Sequence, residues 1–224
     1  MKKITQLILF FSMSISLSAQ TSISDPTDVQ GRIGTGFQYN FSKKIKTEIE
    51  YQARFVNNLS TYYGSYVSLE GSYDLTKKVA LIANYRLSLT TNGNANRYGA
   101  GITYETKLFT KMKLNLRPMV QYKKFIADDD DVSGNSNFFV RTRLELDYSL
   151  TKKMNVYASV EPYFTFETDE YPIDNIRNTL GLKYEYAKNK KVEVYYIYRP
   201  DFAKSYNRTF HVIGVNLSFK AKRK

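Results

Sequence analysis

The sequence has no cysteine, no tryptophan and one histidine in 224 residues. Without cysteine there is neither a disulfide scaffold nor a thiolate metal site, and one imidazole excludes any mechanism that needs two. Hydrophobic residues are also modest, at 42%, yet aromatic residues reach 15% with 20 Tyr and 14 Phe. Such an aromatic content excludes a disordered chain, and the length favours one domain.

Acidic residues are scarce, since 21 Asp and Glu stand against 33 Lys and Arg, a net charge of +12. The N-terminus combines Lys2 and Lys3 with the apolar stretch Ile4–Leu17 and the small pair Ser18-Ala19. This pattern predicts a signal peptide over residues 1–19 and a mature domain over residues 20–224. A membrane anchor is disfavoured because a spanning helix needs about 20 apolar residues. Export also makes nucleic acid an unexpected partner.

A repeat organises the remaining chain. Tyr39–Lys44 recurs as Tyr73–Lys78 and as Tyr148–Lys153, and apolar residues between these Lys-Lys turns recur at every second position. That period indicates strands, because a helix requires spacings of three and four. The predicted strands cover residues 31–41, 45–56, 62–75, 79–90, 97–108, 112–123, 138–150, 154–166, 176–186, 192–199 and 208–220.

These strands have the length that crosses a bilayer, about 9–11 residues, and their connections alternate in kind. Tight Lys-rich turns follow the odd strands. Polar loops follow the even strands, at Asn57–Thr61, Thr91–Asn96, Lys124–Asn137, Glu167–Asn175 and Pro200–Asn207. The alternation predicts an all-β fold, an antiparallel up-and-down transmembrane β-barrel of ten to twelve strands with its short turns in the periplasm. Because bacterial barrels have even strand numbers, twelve is favoured, with residues 21–30 as a short extra strand.

An exported soluble barrel that binds a ligand has the same alternation with its apolar face inward. The membrane barrel is favoured by strand length, by the signal peptide and by aromatic residues near strand ends. The proposed girdle residues are Tyr39, Phe41, Tyr73, Tyr85, Tyr122, Tyr148, Phe164, Phe166 and Tyr184.

If the apolar face meets lipid, the opposite face lines the lumen. The basic residues predicted there are Arg54, Arg86, Arg97, Lys107, Lys113, Arg117, Lys123, Arg141, Arg143, Arg177, Lys183 and Arg199. The acidic ones are Glu48, Glu50, Glu70, Asp74, Glu105, Glu145, Asp147, Glu161, Glu185 and Glu193. Long side chains of both signs would cross-link inside so small a barrel. We therefore expect a non-enzymatic protein with a narrow lumen, which is either structural or a restricted passage for small solutes with anion preference.

Several segments resemble a known family. They are Tyr39–Lys44 running into Ile45–Asn57, Tyr85-Arg86, Arg141–Tyr148, and the stretch from Arg177 to Arg199. Together they are similar to the outer-membrane β-barrel proteins of Bacteroidetes-type bacteria that are classified only as a domain of unknown function. The resemblance implies a location in the outer membrane of a Gram-negative bacterium and brings no catalytic residues with it.

Two parts of the sequence carry groups that could support chemistry, a histidine and a run of acids. His211 lies near the loop end of the last strand, on the outward face, so a lipid A or phospholipid hydrolase is the enzymatic alternative. The serine expected two residues after such a histidine is replaced by Ile213, and no Gly-x-Ser-x-Gly sequence is present,. An interfacial role for His211 is therefore favoured.

The second segment is the run of four aspartates Asp128, Asp129, Asp130 and Asp131. Its oxygen atoms suit calcium, but the run lacks the alternating spacing of a calcium loop. We expect a solvated loop tip, no metal and no cofactor.

The expected partners follow from the membrane location. They are outer-membrane lipids, lipopolysaccharide and the barrel-assembly machinery during insertion. The lysines of the turns are placed to reach lipid phosphates.

Overall fold

The protein is described here by a computed structural model, which covers residues 27–126, 137–166, 173–202 and 208–222. The predicted signal peptide and the four aspartates lie outside these residues. Eleven strands are present: β1 Thr27–Asn40, β2 Ile45–Val56, β3 Thr61–Asp74, β4 Val79–Thr90, β5 Gly93–Phe109, β6 Met112–Ile126, β7 Asn137–Ser149, β8 Met154–Thr165, β9 Ile173–Ala187, β10 Lys190–Asp201 and β11 Arg208–Lys222.

The strands form one closed barrel in chain order. Each consecutive pair is antiparallel, and β1 closes the barrel by pairing in parallel with β11 from Thr27↔Thr209 to Asn40↔Lys222. The prediction of an all-β barrel of ten to twelve strands is confirmed, whereas the preferred number of twelve is wrong for the described residues. Residues 27–30 extend β1 instead of forming a separate strand. The parallel pairing removes the need for an even count.

The two ends of the barrel carry different connections. One end, here called the turn end, has the short connections 41–44, 75–78, 110–111, 150–153 and 188–189. The opposite end, here called the loop end, has connections 57–60, 91–92, 127–136, 166–172 and 202–207. The predicted loop Thr91–Asn96 is wrong, because β5 begins at Gly93 and leaves a two-residue turn. Gly93 has a φ of 101°, a conformation that glycine adopts without steric cost.

The outer surface of the barrel is apolar. Large hydrophobic side chains on the outward face stay uncovered, as Ile33 and Leu180 illustrate with 60% and 63% exposure. A soluble barrel buries this face in its interior, so the alternative of a soluble barrel is wrong. The apolar belt instead matches a transmembrane barrel. No helix in the described ranges has the length and apolar character to span a membrane.

Glycines on the inward face make room for tyrosine rings from neighbouring strands. Tyr195 of β10 lies opposite Gly214 of β11, and Tyr157 of β8 lies opposite Gly181 of β9. A Cβ atom added to either glycine would overlap the facing tyrosine ring. These rings thereby cover the backbone where a side chain is missing, an arrangement that also fixes strand register.

We predict that Gly214→Ala destabilises the barrel by about 1–3 kcal/mol, because the new methyl group displaces the Tyr195 ring. The matched control is Gly71→Ala, since no atom lies within 4 Å of a Cβ added there. The measurement is the folded fraction against urea concentration in detergent, followed by the mobility difference between folded and boiled protein on electrophoresis. Equal unfolding midpoints for the two variants would contradict the packing account.

Candidate functional site

The candidate site is the charged interior of the barrel, where a cavity of about 440 Å³ is lined by residues from most strands. Fourteen of the 22 charged residues predicted to face the lumen line this cavity. They are Glu48, Glu50, Arg54, Glu70, Arg86, Arg97, Arg117, Arg141, Arg143, Glu145, Glu161, Arg177, Lys183 and Glu193.

Three of the predicted residues that do not line this cavity, Glu105, Asp147 and Arg199, have polar partners elsewhere on the inward face. Glu105 Oε1 accepts a hydrogen bond of 3.1 Å from Lys113 Nζ near the turn end. Asp147 Oδ1 accepts a hydrogen bond from Asn155, and Arg199 Nε lies 3.0 Å from an oxygen of Asp201.

Arginines concentrate in the half of the lumen nearer the loop end. The arginine cluster consists of Arg32, Arg54, Arg86, Arg97, Arg141, Arg177 and Arg199. On β2, β7 and β10 the member of this cluster lies closer to the loop end than the glutamates of the same strand. Two acids neutralise part of the cluster: Glu161 pairs with Arg141 and Asp201 pairs with Arg199.

Glutamates occupy the half nearer the turn end. The glutamate cluster consists of Glu48, Glu50, Glu70, Glu145 and Glu193. Three basic residues lie beside this cluster. Arg117 pairs with Glu70, and the Arg143 side chain lies 3.9 Å from Glu145. The Lys183 ammonium lies 3.5 Å from Glu145 and 4.0 Å from Glu193. The lumen is thus positive towards one end and negative towards the other.

Two inward tyrosines support the arginines without neutralising them. The Arg54 and Arg86 guanidinium carbons lie 3.7 and 5.6 Å from the centre of the Tyr66 ring. The Arg177 and Arg141 guanidinium carbons lie 4.1 and 5.6 Å from the centre of the Tyr163 ring. A cation over an aromatic face gains about 0.5–2 kcal/mol. The rings therefore hold neighbouring like charges in place while leaving their full charge.

Arg141 has the most complete set of partners in the cluster. Its Nη1 donates to Glu161 Oε1 at 3.0 Å and to the Tyr163 hydroxyl at 2.8 Å. By contrast, Arg32, Arg54, Arg86, Arg97 and Arg177 form no ion pair with any residue in the described part of the chain. Burial of charge without a counterion is costly, so these five side chains favour an anion or water in the lumen.

Side-chain contacts cross the lumen. Arg117 of β6 donates to Glu70 of β3, although two strands separate them around the wall. Gln52 of β2 donates to the Tyr195 hydroxyl of β10 at 3.4 Å, again across two intervening strands. Such contacts reduce the open cross-section of the barrel.

A second cavity of about 350 Å³ lies towards the loop end and includes Thr90, Asn92 and Gly93 in its lining. Four residues of the arginine cluster border both cavities: Arg54, Arg86, Arg97 and Arg177. These side chains form the partition between the two spaces.

His211 lies on the outer surface of the barrel. Its Nδ1 is 2.5 Å from the Tyr196 hydroxyl, and its ring centre is 5.7 Å from that of Tyr198. It is therefore one of a group of aromatic side chains near the loop end, remote from both cavities. In the described ranges, no three His, Cys, Asp or Glu side chains are grouped as a metal site.

Three features of the site were missed in the sequence. Arg32 lies on the inward face of β1 beside Gly34 and Gly36, and its strand parity could have identified it. Tyr66 and Tyr163 also face inward, and neither is among the residues predicted to line the lumen. Their parity also places them inward, but the contacts with arginines depend on the stagger between strands.

Comparisons with known proteins agree with this architecture. The barrel superposes on the NanC porin with a TM-score of 0.52 and 12% identity, over 76% of this chain and 86% of the porin. It is also similar to the KdgM porin in complex with disordered oligogalacturonate, with a TM-score of 0.47, 13% identity, and coverage of 76% and 91%. A bacterial polysaccharide outer membrane secretin gives a TM-score of 0.46 at 10% identity, with coverage of 77% and 73%. At these identities the likeness concerns the fold.

No curated protein matches the sequence. The model of one family does match, over residues 33–209, and that family is described as a protein of unknown function, DUF2490. The matched range runs from β1 into β11, and therefore includes nearly every strand of the barrel and the whole partition of arginines. The chain belongs to the DUF2490 family.

Proposed function

We propose that the protein is an outer-membrane channel with a narrow, charge-lined lumen that passes small solutes and prefers anions. The observation that carries this proposal is the partition of Arg54, Arg86, Arg97 and Arg177 between the two cavities. None of the four has an acidic partner among the described residues. Four positive charges without ion pairs, placed between the two cavities, raise the local concentration of anions and disfavour cations.

The outer surface supports the membrane part of the proposal. Its apolar belt contacts lipid, and the loop end faces the lipopolysaccharide leaflet. The lysines of the turns, such as Lys77 and Lys152, reach phosphates on the periplasmic side. Insertion of such a barrel requires the barrel-assembly machinery, and the predicted signal peptide provides export.

Ion selectivity tests the channel directly. In a planar bilayer with a KCl gradient, we expect single-channel current steps. The sign of the reversal potential should show that chloride is more permeable than potassium. Replacing Arg54, Arg86, Arg97 and Arg177 together by Gln is expected to lower the chloride-to-potassium permeability ratio several-fold, because the partition loses its charge.

The matched control for selectivity is Lys113→Gln, because Lys113 pairs with Glu105 near the turn end and borders neither cavity. It should leave the permeability ratio unchanged. Absence of conductance steps, or cation selectivity of the unaltered protein, would refute the channel.

The orientation in the membrane can be tested with single cysteines, since the chain has none of its own. Thr91→Cys at the loop end should react with a membrane-impermeant maleimide on intact cells. Lys77→Cys at the turn end should react only after the outer membrane is permeabilised. Both positions are exposed. The reverse pattern would invert the proposed orientation, and labelling of both in a detergent-free soluble fraction would remove the membrane location.

The proposal gives His211 no catalytic role, because its neighbours Tyr196 and Tyr198 form an aromatic group on the lipid-facing surface. We expect His211→Ala to leave the lipid A and phospholipid profiles unchanged in mass spectrometry of overexpressing cells. Loss of a deacylated species with this variant, but not with Lys113→Gln, would establish the enzymatic alternative instead.

A further inference from the structure

The larger cavity contains uncompensated charges of both signs. Glu48 and Glu50 of β2 line it and form no ion pair within the described residues. Arg54 projects from the same strand face, four residues closer to the loop end. A strand rises about 3.3 Å per residue, so the Cα atoms of Glu50 and Arg54 are about 13 Å apart.

Arg32 adds an independent sign of a missing ligand. Its side chain lines the same cavity and is only 7% exposed. Its Nε and Nη2 atoms nevertheless have no hydrogen-bond partner. Buried guanidinium groups are normally satisfied, and the unsatisfied atoms therefore mark a place where an acceptor group binds.

The remaining glutamates of the cavity are already neutralised. Glu70 pairs with Arg117 and Glu161 with Arg141, and Lys183 lies within 4.0 Å of both Glu145 and Glu193. Glu48 and Glu50 consequently supply the negative charge that is available to a solute. Arg32 and Arg54, which are partners in the register of β1 and β2, supply the available positive charge nearer the loop end of the same cavity.

We propose that this cavity binds a short zwitterionic solute, with its anionic group at Arg32 and Arg54 and its cationic group at Glu48 and Glu50. The proposal rests on the channel function, of which it names the solute class. A tripeptide with free termini has this chemistry: an ammonium and a carboxylate about 10 Å apart in an extended chain. A cavity of about 440 Å³ is within the range of roughly 300–1,000 Å³ that small ligands occupy.

Solutes of one charge fit this cavity less well. A dicarboxylate satisfies the arginines but places its second carboxylate near Glu48 and Glu50. A diamine has the opposite conflict. Because like charges at close range are repulsive in a partly desolvated site, the arrangement selects molecules whose opposite charges are separated along the barrel axis.

The test uses tri-alanine and two capped derivatives of the same length. N-acetyl-tri-alanine retains only the carboxylate, and tri-alanine amide retains only the ammonium. Titration calorimetry with the folded barrel in detergent measures each dissociation constant. We expect tri-alanine to bind about tenfold more tightly than either derivative, as the loss of one charged hydrogen bond predicts.

Two substitutions test which residues bind the ammonium and the carboxylate of the solute. Glu50→Gln should weaken tri-alanine about tenfold and leave N-acetyl-tri-alanine unchanged, while Arg32→Gln should weaken tri-alanine and leave the amide unchanged. Glu105→Gln is the matched control, because Glu105 lies outside both cavities. The electrophoretic mobility shift confirms that each variant is folded. If Glu50→Gln does not fold, Glu48→Gln replaces it, and if Arg32→Gln does not fold, Arg54→Gln replaces it.

The outcomes separate this inference from the channel itself. Equal affinity for tri-alanine and N-acetyl-tri-alanine, or no binding at all, overturns the zwitterion site even if the bilayer shows anion-selective steps. Selective binding of tri-alanine that is lost in Glu50→Gln supports the zwitterion site. This result would stand even if the bilayer showed no conductance and the channel proposal failed.

Discussion

Every other feature of this protein depends on the closure of the sheet. Backbone groups in hydrocarbon have no water to bond, so an open sheet edge is not tolerated there. The parallel pairing of β1 with β11 removes both edges and fixes which strand face is inside. Once the cylinder is closed, alternation along each strand places the apolar side chains in the lipid and confines the charged ones to a common interior.

Closure also explains how a lumen can accommodate so many arginines. Water and counterions enter the lumen of a barrel more easily than they enter a packed protein core. The faces of the Tyr66 and Tyr163 rings also attract the guanidinium groups of Arg54 and Arg177, which have other arginines as neighbours. Glycines at 181 and 214 provide the space that the Tyr157 and Tyr195 rings occupy. The small residues, the rings and the cations thus form one packing system, in which each depends on the others.

Strand length and facing follow from the sequence because they depend on a two-residue period that a single chain displays. The positions of β2 and β4 agree with their predictions to the residue. Register between distant strands does not follow. The separation of arginines from glutamates is already present along β2, β7 and β10 individually, but the register decides which of these side chains meet across the lumen. The turn at Gly93 was missed because a polar Asn and Gly run suits a loop as well as a hairpin turn.

The parallel seam has a consequence for how the barrel is made. Ten of its eleven strand pairs join neighbours in sequence, so hairpins can form locally as the chain emerges, while β1 must wait for the final strand. Pairing over so large a sequence separation has a high loop-closure cost and is slow. During that interval both outermost strands present unpaired backbone groups, which are templates for aggregation. The seam is therefore the last strand pair to form and the stage at which the open sheet is most prone to aggregate.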